Sequence, residues 1–318
     1  TVADLAAFLC EFNRTHADDP VRFVGFDNRQ PWIDEPALRE WLGRVVPAEG
    51  TELADGLSTC FGVGYADEMA FFSDPNVMAI FMGMATTGEE DHVACVAGAS
   101  ALSGFMRSRR DELVDASGED EWERMRLALV RIESFDTQAY HFFGRGQGAL
   151  GQSARDAAMA DVLLTLRRLD HPGSRTVLWA HNYHVSRNSD SIEGVTAYRG
   201  AVNIGTLLAR EPSVRYVAIG LSAYDVRYDW LAGPDQYLHD STEAVERMLH
   251  DLEQPYLFVH FAEASVGGGS LIEPDGLHLV SSEGMIPREH YDGLLFLDVS
   301  HPPTWVGGTS PFGMLPGM

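Results

Sequence analysis

The sequence predicts an α/β protein: a central, mostly parallel sheet with flanking helices and a large helical insertion. Three features carry that reading. An amphipathic helix feeds an apolar strand near the start of the chain, a long stretch of helical periodicity follows, and short apolar strands resume only after a Pro-Gly breaker. Strands that are apolar on both faces need cover on both faces, as in helix-flanked sheets.

Taken in order, Leu5, Phe8, Leu9 and Phe12 recur at helical spacing, Asp19-Pro20 ends that helix, and residues 21–27 (VRFVGFD) read as a strand. Helices are expected over about 35–46, 76–86, 91–116, 119–143 and 153–169. In the fourth of these, Trp122, Met125, Leu127, Leu129, Ile132 and Phe135 supply a bundle face. His171-Pro172-Gly173 breaks the pattern, and Thr176-Val177-Leu178-Trp179-Ala180 is a short apolar strand. Further strands are expected at 214–221, 256–261 and 293–297, with helices near 202–209 and 242–252. The expected organisation is residues 1–34 as the first part of the α/β core, 35–170 as a helical insertion or lid, and 171–318 as the remainder of the core. The tail from Pro302, rich in Pro and Gly, is expected to be loop.

Composition removes several chemistries. All 23 basic residues are arginine, so no Schiff-base lysine, phosphate-loop lysine or kinase-type strand lysine exists. A formal charge of −24 argues against nucleic-acid binding, which relies on clustered positive charge. No apolar run has the roughly 18–20 residues that span a bilayer, so no membrane partner is expected. Cys10, Cys60 and Cys95 are an odd, scattered set, which favours buried thiols in a reducing, cytoplasmic setting over a disulfide or zinc framework.

The familiar motifs fail in informative ways. No G-x-S-x-G elbow occurs, because Gly98-Ala99-Ser100-Ala101-Leu102 and Gly220-Leu221-Ser222-Ala223-Tyr224 both miss the last glycine. Gly146-Gln147-Gly148-Ala149-Leu150-Gly151 matches G-x-G-x-x-G, but no strand delivers it and no acidic residue closes the next strand. It reads as a loop before a helix. Gly88-Glu89-Glu90-Asp91-His92 spells G-E-x-x-H without a preceding apolar strand, so its acids read as a helical first turn.

The strongest constellation is Trp179-Ala180-His181-Asn182-Tyr183-His184. It follows a strand directly, and open α/β sheets bind ligands beyond the carboxyl ends of their strands. An imidazole is the natural general base near neutral pH. The alternative is a histidine pair satisfied by loop hydrogen bonds. His260 reads as a core or strand-end residue, and His239, His250, His278, His290 and His301 as surface or loop positions. Arg155 and Asp156 read as opening a helix, with an ordinary dipole role for the aspartate.

Five segments in order now resemble one known family: residues 21–27 (VRFVGFD), 155–160 (RDAAMA), 177–184 (VLWAHNYH), 215–221 (RYVAIGL) and 291–298 (YDGLLFLD). Together they resemble the erythromycin esterase family from residue 1 to about 300. The resemblance implies an α/β domain with a helical insertion, and metal-independent, cofactor-free hydrolysis of an ester or macrolactone by histidine-activated water. It matches His181 and His184 to the family's second histidine pair. Its earlier G-E-x-x-H motif lies upstream of the strand matched by residues 21–27, so the resemblance implies a chain shorter at its start than the family.

The expected function is therefore ester hydrolysis on a small-molecule, macrolide-like substrate. His181 is expected to deprotonate water, His184 and Asn182 to assist, and Arg155 and Tyr183 to bind substrate. The alternatives are a biosynthetic group-transfer enzyme on the same scaffold and a non-catalytic binding or partner subunit.

Overall fold

A computed structural model describes residues 2–28, 30–81, 84–189, 199–230, 233–238, 244–261 and 287–301. The chain divides into two compact units, one of residues 26–218 and one of residues 1–25 with 219–318. Helix α1 (Val2–Thr15) opens the chain and belongs to the second of these.

The secondary-structure elements described within residues 26–218 are helices. They are α2 (Pro31–Val45), α3 (Gly50–Asp55), α4 (Glu68–Phe72), α5 (Pro75–Phe81), α6 (Glu89–Ser108), α7 (Arg110–Ser117) and α8 (Glu119–Gln138). A π-helical turn (Ala139–Phe143), α9 (Gly148–Leu169), α10 (Asn182–Val185) and α11 (Ile204–Arg210) complete the unit. Local chemistry sets several of the boundaries. Pro31 opens α2, where its missing N–H costs nothing. Asp67 caps α4 by accepting the Ala70 N–H at 2.8 Å. Glu89, Glu90 and Asp91 form the acidic first turn expected for α6. The single helix expected over 91–116 is two, α6 and α7, broken at Arg109. Gly118 lies at φ 87° between α7 and α8, a conformation open to glycine at little cost.

The bundle face read from α8 is buried: Trp122, Leu127, Leu129, Ile132 and Phe135 are each at most 5% exposed. Leu38, Trp41 and Leu42 of α2, Leu102 and Met106 of α6, and Leu113 of α7 join Trp122, Leu129 and Ile132 in one core. Each such side chain contributes roughly 1.5–3 kcal/mol on burial. A second, aromatic cluster gathers Trp32, Phe71 and Phe135, with Phe61 and Phe81 packed against it. Two expectations need correction here. Cys60 and Cys95 are joined in a disulfide, which ties the segment after α3 to α6. The odd cysteine count hid a single pair, and the thiol-based reason for a reducing compartment falls with it; Cys10 is free and exposed. The glycine run 146–151, expected as a loop before a helix, lies mostly inside that helix. Gly148 starts α9, and Gly151 lies inside it where a Cβ would come within 2.8 Å of the Phe142 Cβ. Its role is close helix packing.

The second unit holds the sheet. Strands β1 (Ile219–Trp230), β2 (Gly233–Leu238), β3 (Tyr256–His260) and β4 (Gly293–Ser300) lie in the order β2-β1-β4-β3. The α/β class stands, but the sheet is mixed rather than mostly parallel. Among the described residues only β1 and β4 run parallel, while β1–β2 and β3–β4 are antiparallel. A short link between β1 and β2 permits only a hairpin, since a parallel return needs a dozen or more residues. Helices α12 (Val245–His250) and α13 (Pro287–His290) bring Val245, Leu249 and the neighbouring Tyr291 into the core beside Leu294 and Phe296. His290, read as a surface residue, is buried at 1% exposure. His260 ends β3 opposite Gly293, while His239, His278 and the tail from Pro302 lie outside the described residues.

Residues 21–27 and 174–180 join no ladder among the described residues, although both read as strands. Their sequence carries the strand pattern, yet a strand needs a neighbour to take its N–H and C=O groups. Phe26 and Leu178 nevertheless turn inward onto Met159, Ala160, Ile204 and Leu208. No helix among the described residues is long and apolar enough to cross a membrane.

Candidate active site

Helix α9 places Gln152 and Asp156 one turn apart, where their side chains can meet, with Arg155 beside them in sequence. Asp156 is fully buried. Its Oδ1 pairs with the His184 Nδ1 at 2.7 Å and accepts the Ile204 backbone N–H at 3.0 Å. Its Oδ2 accepts the Gln152 Nε2 at 2.5 Å. A carboxylate surrounded by donors acts as acceptor only, so Nδ1 of His184 carries the proton and Nε2 keeps the lone pair.

The turn that carries His184 is built for this placement. Residues 174–180 deliver the chain to His181, which caps α10 by accepting the Tyr183 N–H on its Nδ1 at 3.2 Å. Asn203 donates from Nδ2 to the Tyr183 carbonyl and to Ser186 Oγ, and its Oδ1 caps α11 through the Thr206 N–H at 2.7 Å. Tyr216 donates its hydroxyl to the Val185 carbonyl at 2.5 Å. Gly205 sits so close beneath the turn that a Cβ there would lie 2.4 Å from the Ser186 carbonyl oxygen. A glycine, a buried amide and a tyrosine thus fix a helix of only four residues.

Arg155 borders the imidazole. It grips Asp27 through Nε (3.0 Å) and Nη2 (2.7 Å), a paired geometry that suits guanidinium and carboxylate. Its remaining Nη1 reaches toward His184 Nε2 at 3.4 Å. The Arg155 and His184 side chains are 14% and 13% exposed, so both border solvent without being loose in it.

His181 differs from His184 in kind. Its residue is open to solvent, yet partial desolvation of the ring, and then the nearby His184, lower its pKa from the usual histidine value. Because Nδ1 accepts a backbone N–H, the neutral ring carries its proton on Nε2 and presents a donor outward. Asn182 and Tyr183 are buried at 8% and 5% exposure and shape the turn from beneath.

The expected residues His184 and Arg155 therefore meet, with His181, Asn182 and Tyr183 on the same turn. Two partners escape the sequence reading. Asp156 was expected at a helix start with a dipole role, but α9 begins at Gly148 and buries it in mid-helix as the partner of His184. A fully buried acid in a helix interior is itself a signal, visible once the helix start is known. Asp27, read only as the end of a strand, anchors Arg155. Among the described residues, no group of three or more His, Cys, Asp or Glu could hold a metal ion.

The profile of the erythromycin esterase family matches residues 1–300. The chain belongs to the erythromycin esterase family. Two solved structures share the fold of this family member. One is a mutant of an erythromycin esterase, EreC, in its open conformation, with TM-score 0.69, 15% identity, and coverage of 93% of this chain and 72% of that one. The other is a succinoglycan biosynthesis protein, with TM-score 0.62, 12% identity, and coverage of 94% and 70%. No curated protein matches the chain.

Proposed function

We propose that this protein hydrolyses a carboxylic ester of a small molecule, with His184 as the base that activates water. The observation that carries the reading is the buried Asp156 bound to His184 Nδ1, which leaves the lone pair on Nε2, where Arg155 Nη1 approaches at 3.4 Å. Erythromycin esterase membership supplies the reaction class, and a macrolactone is the substrate it favours.

In this reading water gives a proton to His184 Nε2 as its oxygen bonds to the ester carbonyl carbon. Asp156 stabilises the imidazolium, as a buried carboxylate does for a catalytic histidine. The carbonyl oxygen gains negative charge and accepts hydrogen bonds from Arg155 Nη1 and His181 Nε2, donors aimed at developing charge. The carbon–oxygen bond to the alcohol then breaks, and the departing alkoxide takes the proton back from His184. Acid and alcohol result, with no covalent enzyme ester, in keeping with the missing serine elbow. From sequence alone His181 is the expected base; the occupied Nδ1 of that ring favours a donor role instead.

The test is hydrolysis of p-nitrophenyl butyrate and of the erythromycin lactone by the wild type, His184→Ala and His181→Ala. A positioned base contributes roughly 10²–10⁴-fold. His184→Ala should lose that factor in kcat and His181→Ala a smaller one. Equal rates for wild type and His184→Ala would sink the assignment.

A further inference from the structure

A second carboxylate-oriented imidazole stands in the helical unit, unused by the reaction above. His92, near the start of α6, pairs its Nδ1 with Asp136 Oδ2 at 2.6 Å. Asp136 is 3% exposed and its other oxygen accepts the Phe61 N–H at 2.8 Å, so the carboxylate is held from both ends. As at His184, the Nδ1 proton points to the acid and Nε2 keeps its lone pair. No described residue hydrogen-bonds that Nε2, and the side chain remains 12% exposed.

The surroundings have the marks of a ligand site. The His92 ring stacks on Tyr140 at 3.9 Å and meets the edge of His141 at 5.6 Å. His141 is itself fixed, its Nδ1 on Gln147 Oε1 at 2.7 Å. Tyr140 and His141 both belong to the π-helical turn, a distortion frequent at functional sites. Two buried polar atoms of these same segments, Gln138 Oε1 and Thr87 Oγ1, find no hydrogen-bond partner among the described residues. Gln138 immediately precedes the π-helical turn, is only 2% exposed, and would have to be satisfied from outside the side chains described. Burial also raises the Asp136 carboxyl, although Phe61 and His92 oppose the shift.

We propose that His92, Asp136, Tyr140 and His141 form a second site, at which His92 Nε2 acts as base toward water attacking a small ester. The proton passes from water to Nε2, the water oxygen bonds to the carbonyl carbon, and the leaving alkoxide recovers the proton. This site stands on its own geometry and does not need His184 to be a base.

Two measurements test it. Diethyl pyrocarbonate reacts with unprotonated imidazole nitrogen, and adducts on the native chain are mapped by mass spectrometry. His92 should be modified faster than the exposed His16, and Asp136→Asn should slow it about tenfold. In parallel, His184→Ala/His92→Gln should hydrolyse p-nitrophenyl acetate about tenfold more slowly than His184→Ala. Modification of His92 no faster than His16, or equal hydrolysis by the two variants, would overturn the proposal. The first measurement uses the unaltered protein, so misfolding of a variant cannot mask it. A failure of His184 as base would leave both outcomes readable.

Discussion

His184 and His92 both pair Nδ1 with an aspartate, at 2.7 and 2.6 Å, but the two pairs are framed by different means. Asp156 is locked by polar contacts: the Ile204 N–H, the Gln152 amide and a short turn stitched by Asn203 and Tyr216. Among the described residues Asp136 accepts hydrogen bonds from only two partners, the Phe61 N–H and His92, and it is the segments carrying these partners that are fixed by a covalent link and by ring stacking. The Phe61 that donates to it follows Cys60 directly, and His92 sits one helical turn before Cys95, so the disulfide links both arms of the pair. Ring stacking on Tyr140 completes that frame. The lesson is that one imidazole geometry can be fixed either by a hydrogen-bond network or by a staple with packing. The first kind fails when one polar atom is removed, whereas the second fails when the chain is released.

The largest contrast is expected from Asp156→Asn. The amide cannot accept all three donors, so His184 loses its tautomer and hydrolysis should fall at least about 10²-fold. Stability should drop by roughly 3 kcal/mol as buried donors lose their partner. Steady-state kinetics and a urea midpoint check the two parts. An unchanged rate would remove the acid from the His184 site.

Opening the disulfide should act on the other frame. Cys60→Ala/Cys95→Ala closes no loop in the unfolded chain and should cost about 2–4 kcal/mol in denaturant unfolding. The rate that depends on His184 should change far less than in Asp156→Asn. A larger kinetic loss than that variant shows would break the comparison.

Gly205→Ala probes the polar frame by shape alone. Its Cβ would meet the Ser186 carbonyl, so the turn must shift, at about 1–3 kcal/mol by thermal denaturation. Neutral stability would mean that the turn is not held as closely as the hydrogen bonds imply.

The smallest effect is electrostatic. His181 should titrate below the usual histidine value of 6.5, staying neutral as pH falls through that value and protonating only at lower pH. Because its folded pKa is depressed, its contribution to stability is present above the unfolded value and lost as pH falls through the folded one. His184→Asn removes the second cause of the shift, so the His181 midpoint should move up in an NMR titration. A midpoint at or above 6.5 in the wild type would contradict the Nδ1 acceptor role toward the Tyr183 N–H.

The helices were legible because their information is local. The apolar spacing on α8 and the acidic start of α6 each state their place within a few residues. His181 and His184 were legible because they share one short motif. Asp27 and Asp156 were not, since an aspartate becomes a clamp only through residues 128 or 28 positions away. Sheet direction failed for a related reason: periodicity gives the face a strand buries but not the neighbour it pairs with.

By itself the sequence determined the α/β class, the longest helices, the absence of lysine and of a serine elbow, and His181 and His184 as candidates for a base. Tertiary structure alone decided which imidazole nitrogen keeps its lone pair. That depends on the partner at the other nitrogen, Asp156 for His184 and a backbone N–H for His181, and such partners are chosen by packing rather than by spacing along the chain.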